Sequence, residues 1–364
     1  FDEQKWRTEV RLGRLYWPRL DVFLYHWMVM CCASDVPTQQ MFSRFKELAE
    51  TGDAGPDGVM QELATFGGIY DTLDEAVEED TEEGHFFYRW RTMQANVLTP
   101  LLMLIYERQE RLGASQVEAM RQAIESWLVR RMVCRSSAKG YNHFLYSLLG
   151  DLMNTPDELF SAVLTDRLLD QEAVATEWPS DAQVTAAVVS NPLYRQITRG
   201  RLRLILEAIE DHSRDPHGKG KAEGPCPKGL TIEHVLPQQW SPQAWPLPSR
   251  DDEAHERRAN LLHTLGNLTL VTYKLNPALS NSAWVVEQAG DDSEPADQES
   301  KPPKGKRAGL KAHSVLHINK DLVDLEDWNE DTIFSRSRDL AETICEIWPR
   351  PDIVGETGAE TLVY

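Results

Sequence analysis

Apolar residues recur at helical spacing through most of the first half of the chain. Val97, Leu101, Leu104 and Ile105 mark one face over residues 92–112, and Ala119, Ala123, Trp127 and Leu128 mark another over 117–132. Residues 1–48 also read as helices, from Trp6, Val10, Leu12 and Tyr16 and the twelve-residue apolar run at 22–33. That run is too short to span a bilayer, contains His26, and is followed by Ser34 and Asp35 without a small-x-small cleavage pattern, so a buried helix is expected and membrane association is not. Residues 52–58 form a turn-rich break, residues 141–149 begin another helix, and Thr155-Pro156-Asp157 starts the next. Trp178-Pro179-Ser180-Asp181 reads as a linker followed by a helix N-cap, which places a boundary there and a helical bundle over 1–177.

The periodicity changes beyond residue 228. Leu230, Thr231 and Ile232 form a short β-type run that ends on Glu233 and His234, and Pro237 closes it. After a polar connection of about twenty residues come the turn glycine Gly266, a β-rich run over 268–273, and Asn276-Pro277, where proline suits the first turn of a helix. The implied unit is strand, connection, strand, helix, with His234, Asn267 and Asn276 on one side.

These residue types suit phosphodiester hydrolysis. The reaction needs an activated water, a cation to offset charge on the phosphate and the leaving oxygen, and groups that hold both in place. A histidine with its ordinary pKa of about 6.5 is a suitable general base at neutral pH. Glu233 and Asn276 together offer a sparse set of hard oxygen donors that would leave waters on Mg²⁺ or Mn²⁺.

The segments IEHVLPQ, GNLTL and LNPALSN resemble the C-terminal nuclease domain of GmrSD-type restriction systems, a branch of the HNH or His-Me-finger endonucleases that also includes the SspE-like anti-phage effectors. The resemblance covers most of the chain from about Val117. It includes the arginine-bearing segment NPLYRQITRGRLRLILEAIE upstream and the stretch from HSVLHINK to EIWP downstream. It implies a mainly α chain: a helical bundle over 1–177, then an α+β nuclease domain over 178–364 with a ββα-metal (HNH) core. It implies His234 as general base, with Asn267 bracing the loop beside it, and Glu233 and Asn276 as ligands of a single Mg²⁺ or Mn²⁺ ion. Many HNH enzymes carry Asp where Glu233 stands and His where Asn276 stands. Asn281 and His263 are supporting candidates, Asn281 as a metal-side group or a cap at the start of the helix after the motif. Arg195, Arg199, Arg201 and Arg203, read as a cluster on one helix, and Lys274 are candidates for phosphate. The implied activity is nicking of phage or modified DNA by a bacterial anti-phage system. Phe1 in place of an initiator Met, and no Asp-Gly-Gln-Gln-Arg-like motif, give the expectation of a fragment whose N-terminal nucleotide-hydrolysing domain lies elsewhere in the same protein. An RNA-cleaving or toxin-like nuclease, and a non-catalytic DNA- or partner-binding module, are the competing readings.

Charge changes this picture. The chain of 364 residues carries a formal net charge of −20, which argues against a nucleic-acid binder. The acid is unevenly placed, however: residues 191–320 hold 18 Lys+Arg against 16 Asp+Glu, so the motif-bearing part is close to neutral. The acidic stretch 71–84 reads as a solvated helix end, with a cation site or a DNA-mimicking patch as the sharper alternative. Arg130, Arg131 and Arg135 are placed either at a helix C-terminus or against nucleic acid. The loops at 212–228 and 301–311, with Lys219, Lys221 and Lys228 in the first, read as solvated tethers, with contact to backbone phosphate as the sharper alternative. Five cysteines without a CxxC pair point to reduced thiols and a cytoplasmic protein. Cys226, His234, His255 and His263 are spaced C-x7-H and H-x7-H, too widely for the close pairs of structural zinc sites.

Overall fold

The computed structural model describes residues 2–12, 15–51, 55–74, 81–171, 176–214, 224–249, 251–285 and 305–351. These are mainly helical, with two short two-stranded antiparallel sheets. None of the described helices is long and apolar enough to cross a membrane. The chain divides into two compact units, one of Phe1–Arg131, Arg135–Trp178 and Arg350–Tyr364, the other of Met132–Cys134 and Pro179–Pro349.

The first unit runs α1 (Glu3–Arg7), β1 (Glu9–Leu12), β2 (Leu15–Pro18), α2 (Arg19–Cys32), α3 (Met41–Thr51), α4 (Gly55–Asp74), α5 (Glu82–Met93), α6 (Thr99–Glu107), α7 (Gln109–Val133), α8 (Tyr141–Met153) and α9 (Phe160–Leu169). Contrary to the all-helical expectation for 1–48, β1 and β2 pair antiparallel with Val10 opposite Trp17. Val10, Tyr16 and Trp17 are strand formers, and Pro18 is tolerated because it ends an edge strand and precedes α2. The apolar run at 22–33 is the buried part of α2, packed on α6. Phe86, Phe87 and Trp90 of α5 are core residues.

Two of the three arginines at the end of α7 are internal, while Arg135 is exposed. Arg130 and Arg131 are buried; Arg131 donates to Tyr141 Oη and to the carbonyls of Ser137 and Glu177, and its guanidinium lies over the Trp127 ring. Buried in its own unit, Arg131 is a packing residue and offers no face to nucleic acid. At the ends of the acidic stretch, Asp71 pairs with Lys5 and Arg19, and Glu83 with Arg121; residues 75–80 lie outside the described residues.

The second unit runs α10 (Asp181–Ser190), α11 (Leu193–Gln196), α12 (Arg199–Arg214), β3 (Thr231–His234), α13 (Asp252–Leu261), a 3-10 turn (Leu265–Asn267), β4 (Leu268–Val271), α14 (Leu275–Leu279), α15 (Lys306–His313), α16 (His317–Asp324) and α17 (Glu330–Ile347). Ser180 caps α10 in a capping box with Gln183, and Asn329 caps α17 with Thr332. The long α17 packs against α10, α12, α13 and the 3-10 turn that leads into β4, while α12 and α16 pack on β4 itself. Val235, Leu236, Trp245, Leu262, Val271, Leu279, Trp284, Trp328 and Ile333 belong to one buried cluster. Arg258 and Glu330, both buried, pair inside it, and Arg258 also donates to the Trp245 carbonyl at 2.7 Å.

Candidate active site

The site is built on one short antiparallel pair. β3 and β4 register Thr231 with Val271, Glu233 with Thr269 and His234 with Leu268. Because strand residues alternate, Thr231 and Glu233 share one face of β3 while Ile232 and His234 share the other. The pair is closed by Asn267, which is fully buried. Its Oδ1 accepts from Leu236 N at 2.8 Å and from Trp328 Nε1 at 3.1 Å, and its Nδ2 donates to the Leu236 and Leu262 carbonyls, both at 2.9 Å. A side-chain amide has two acceptor sites and two donors, and here all four are used. Its own carbonyl accepts from Val235 N at 2.9 Å. The chain leaving His234 is therefore tied down residue by residue.

Gly266, one position earlier, is read from sequence as a turn glycine, and its reason here is close approach. A Cβ at that position would overlap the Ile333 carbonyl and the Ser337 hydroxyl of α17 and come within 2.9 Å of Ser337 N. Arg336 of α17 adds hydrogen bonds at 2.7 Å to the carbonyls of Gly266 and Leu268.

His234 is buried beneath Tyr194, whose ring meets it edge-on at 4.2 Å. Its Nε2 lies 3.3 Å from Nδ1 of His263, which is also buried and lies parallel to Tyr194. The Arg199 guanidinium lies over the Tyr194 ring, 3.3 Å from its centre. Burial, then His263, Lys306, Arg199 and Arg195, push the His234 imidazole down to about 3, so it is neutral at pH 7. Burial, then Arg195 and Arg199, also lowers His263. The two ring nitrogens are at hydrogen-bond distance, with donor and acceptor set by the tautomers, and among the described residues His263 Nε2 has no partner.

On the other face, Asn276 of α14 donates through Nδ2 to Thr231 Oγ1 at 3.0 Å and to the Ile232 carbonyl at 3.5 Å. That orientation leaves the lone pairs of Oδ1 to face a cation. Glu233 is held by Lys306, whose Nζ also donates to the His234 carbonyl at 2.6 Å. Burial raises the Glu233 carboxyl, opposed by Lys306, and burial lowers the Lys306 ammonium, opposed by Glu233. Glu233 and Asn276 thus reach the same face of β3, and His234 is directed to the opposite one, contrary to the expectation that His234 and Asn276 lie on one side, because consecutive strand residues alternate. Among the described residues no three His, Cys, Asp or Glu side chains surround a common point. A carboxylate and an amide oxygen fit a hard cation that keeps most of its waters, as Mg²⁺ and Mn²⁺ do.

The remaining candidates are scattered. Arg195 sits on α11, separate from the other three arginines, because Ile197 is extended and breaks the helix. Arg203 pairs with Glu207 at 3.5 Å and donates to the Leu230 carbonyl. Lys274 is exposed just before α14. Asn281 does not start a helix: α14 ends at Leu279, Ser280 takes a φ of 36°, and Asn281 follows it, exposed. Lys219, Lys221, Lys301 and Lys304 lie outside the described residues.

Residues 178–343 match the family described as GmrSD restriction endonucleases, C-terminal domain. This segment is a C-terminal domain of the GmrSD restriction endonuclease type. Comparison with curated proteins found no match. The matched range begins at Trp178 and contains β3, the 3-10 turn, β4, α14 and α15, and with them every side chain described above around His234 and Glu233. A restriction endonuclease domain acts on DNA as a nuclease. Within this GmrSD-type domain, three participants carry no motif of their own in the sequence: Tyr194, Trp328 and Lys306. Tyr194 lies inside NPLYRQ, which reads only as an arginine-bearing segment, and Trp328 lies 61 residues from the amide it binds. Lys306 falls in a basic stretch that reads as a solvated loop, and its one local signal is the apolar Leu310 four residues on, which announces a helix starting at the lysine.

Proposed function

We propose that the domain hydrolyses DNA phosphodiester bonds one strand at a time, with His234 as general base, and that it serves an anti-phage restriction system. The observation that carries this reading is the neutral, buried His234 next to a carboxylate at the end of β3, on backbone locked by Asn267. If His234 Nε2 donates to His263 Nδ1, the His234 Nδ1 lone pair is left to accept a proton from water. Burial is the main reason His234 holds a proton weakly in the free domain, with smaller contributions from His263, Lys306, Arg199 and Arg195. An arriving phosphate offsets the charge of the two arginines, which raises the basicity of His234 when substrate is in place. Glu233 and Asn276 would hold a single Mg²⁺ or Mn²⁺ ion, which supplies charge stabilisation for the phosphate and leaving oxygen. In this reading phage or modified DNA is the substrate, and a nucleotide-hydrolysing domain elsewhere in the same protein controls access to it.

A supercoiled-plasmid assay tests the proposal. With Mg²⁺ or Mn²⁺ the wild-type protein is expected to give open circles, and EDTA to stop the reaction. His234→Ala is expected to slow nicking by about 10²–10⁴-fold, the usual worth of a positioned general base. Equal rates for the two proteins would remove His234 from the chemistry. Cleavage of RNA in preference to the plasmid would change the substrate class.

A further inference from the structure

Lysine ordinarily keeps its ammonium in water, yet Lys306 is 1% exposed. It is the first residue of α15, where a cation opposes the helix dipole, so helix stability does not explain it. Its backbone is fixed by Lys306 N on the Ala283 carbonyl at 2.9 Å and Arg307 N on the Trp284 carbonyl at 3.1 Å. Arg307 Nε adds a bond to the Val323 carbonyl at 2.8 Å. From this anchor Nζ reaches acceptors on two consecutive residues of β3, the Glu233 carboxylate and the His234 carbonyl. A covalently tethered monovalent cation therefore sits on the carboxylate that the divalent ion would use.

We propose that Lys306 competes with the divalent cation for Glu233, so that the metal enters by displacing the ammonium. The proposal rests on Glu233 being a cation ligand. Two cations cannot share one carboxylate without mutual repulsion, and in a desolvated setting that repulsion is only weakly screened. The exchange favours the metal once a phosphate is present, because phosphate oxygens add ligands for the divalent ion and an acceptor for the released ammonium. The free domain is thereby held in a weakly metal-binding state, and DNA itself promotes loading.

Mn²⁺ titration of the full chain without DNA tests this, read by the paramagnetic resonance signal of the free aquo ion and by calorimetry. The proteins compared are wild type, Lys306→Met, Lys306→Gln and Glu233→Gln. Glutamine can still donate one hydrogen bond to the carboxylate, which provides a folded neutral variant should methionine leave Glu233 too poorly satisfied. Both Lys306 variants are expected to bind Mn²⁺ about tenfold or more tightly than wild type, and Glu233→Gln to lose binding. Unchanged or weaker binding in the folded Lys306 variants, with Glu233→Gln still losing it, overturns the competition and leaves Glu233 a ligand. Binding that Glu233→Gln does not alter, or no binding by any of the four proteins, overturns both.

Discussion

A buried polar side chain is tolerated when its hydrogen-bonding capacity is filled, and the two units hold opposite cases. Asn267 is filled on all four sides and fixes the loop after His234. His26, on α2 of the first unit, is 3% exposed and its Nδ1 has no partner among the described residues. Burial alone pushes its imidazole down to about 3 from the ordinary 6.5. The folded-state pKa thus lies below the unfolded one, so the unfolded chain takes up the proton first as pH falls. The stability this neutral histidine supports is complete above about pH 6.5 and is lost progressively from there down to about pH 3. His26→Leu should remove that dependence. Denaturant melts at pH 7 and pH 4.5 should show the wild type losing more stability than the variant, by on the order of 2 kcal/mol. An equal loss in both proteins would mean that His26 is not the group that titrates.

Among the elements, the strands of the second unit are written plainly in the sequence and the hairpin of the first is not. Thr231, Ile232 and the run after Gly266 combine strand formers with flanking Gly and Pro, and β3 and β4 form there. Val10, Leu12 and Tyr16 also fit a helical face, and their strands are decided by the pairing of β1 with β2, Val10 opposite Trp17, which local spacing does not reveal. Long-range partners are hidden for the same reason. Gly266 looks like any turn glycine, but α17, more than sixty residues on, is what requires it. Gly266→Ala should force α17 away from the 3-10 turn and lower stability by about 1–3 kcal/mol, the usual cost of overpacking. Chemical denaturation of the purified variant measures this, and a midpoint equal to that of wild type would mean that the contact relaxes freely. Lys306 belongs to the same class: the sequence shows a basic stretch, and only the placement of α15 turns one of its lysines inward.

At the scale of the whole molecule, charge does not follow the fold boundary: the second unit, from Pro179 to Pro349, holds 20 Lys+Arg against 26 Asp+Glu, and only its central stretch escapes the acidic balance. The chain as a whole is strongly acidic, while residues 191–320 are close to neutral, with 18 basic against 16 acidic side chains. Much of the described acid outside that segment is engaged in local pairs, as with Asp71 and Glu83. A domain with no excess positive charge gains little affinity from counterion release, so phosphate is held chiefly by a few positioned groups. That places the weight of the account on the end of β3. The most direct measurement there is anomalous scattering from a crystal of the protein with a short DNA duplex and Mn²⁺. The account expects one Mn²⁺ bound by the oxygens of Glu233 and Asn276, Lys306 withdrawn from the carboxylate, and a phosphate beside His234. Mn²⁺ bound elsewhere in a crystal whose DNA has been cut, with Lys306 still on Glu233, would contradict it.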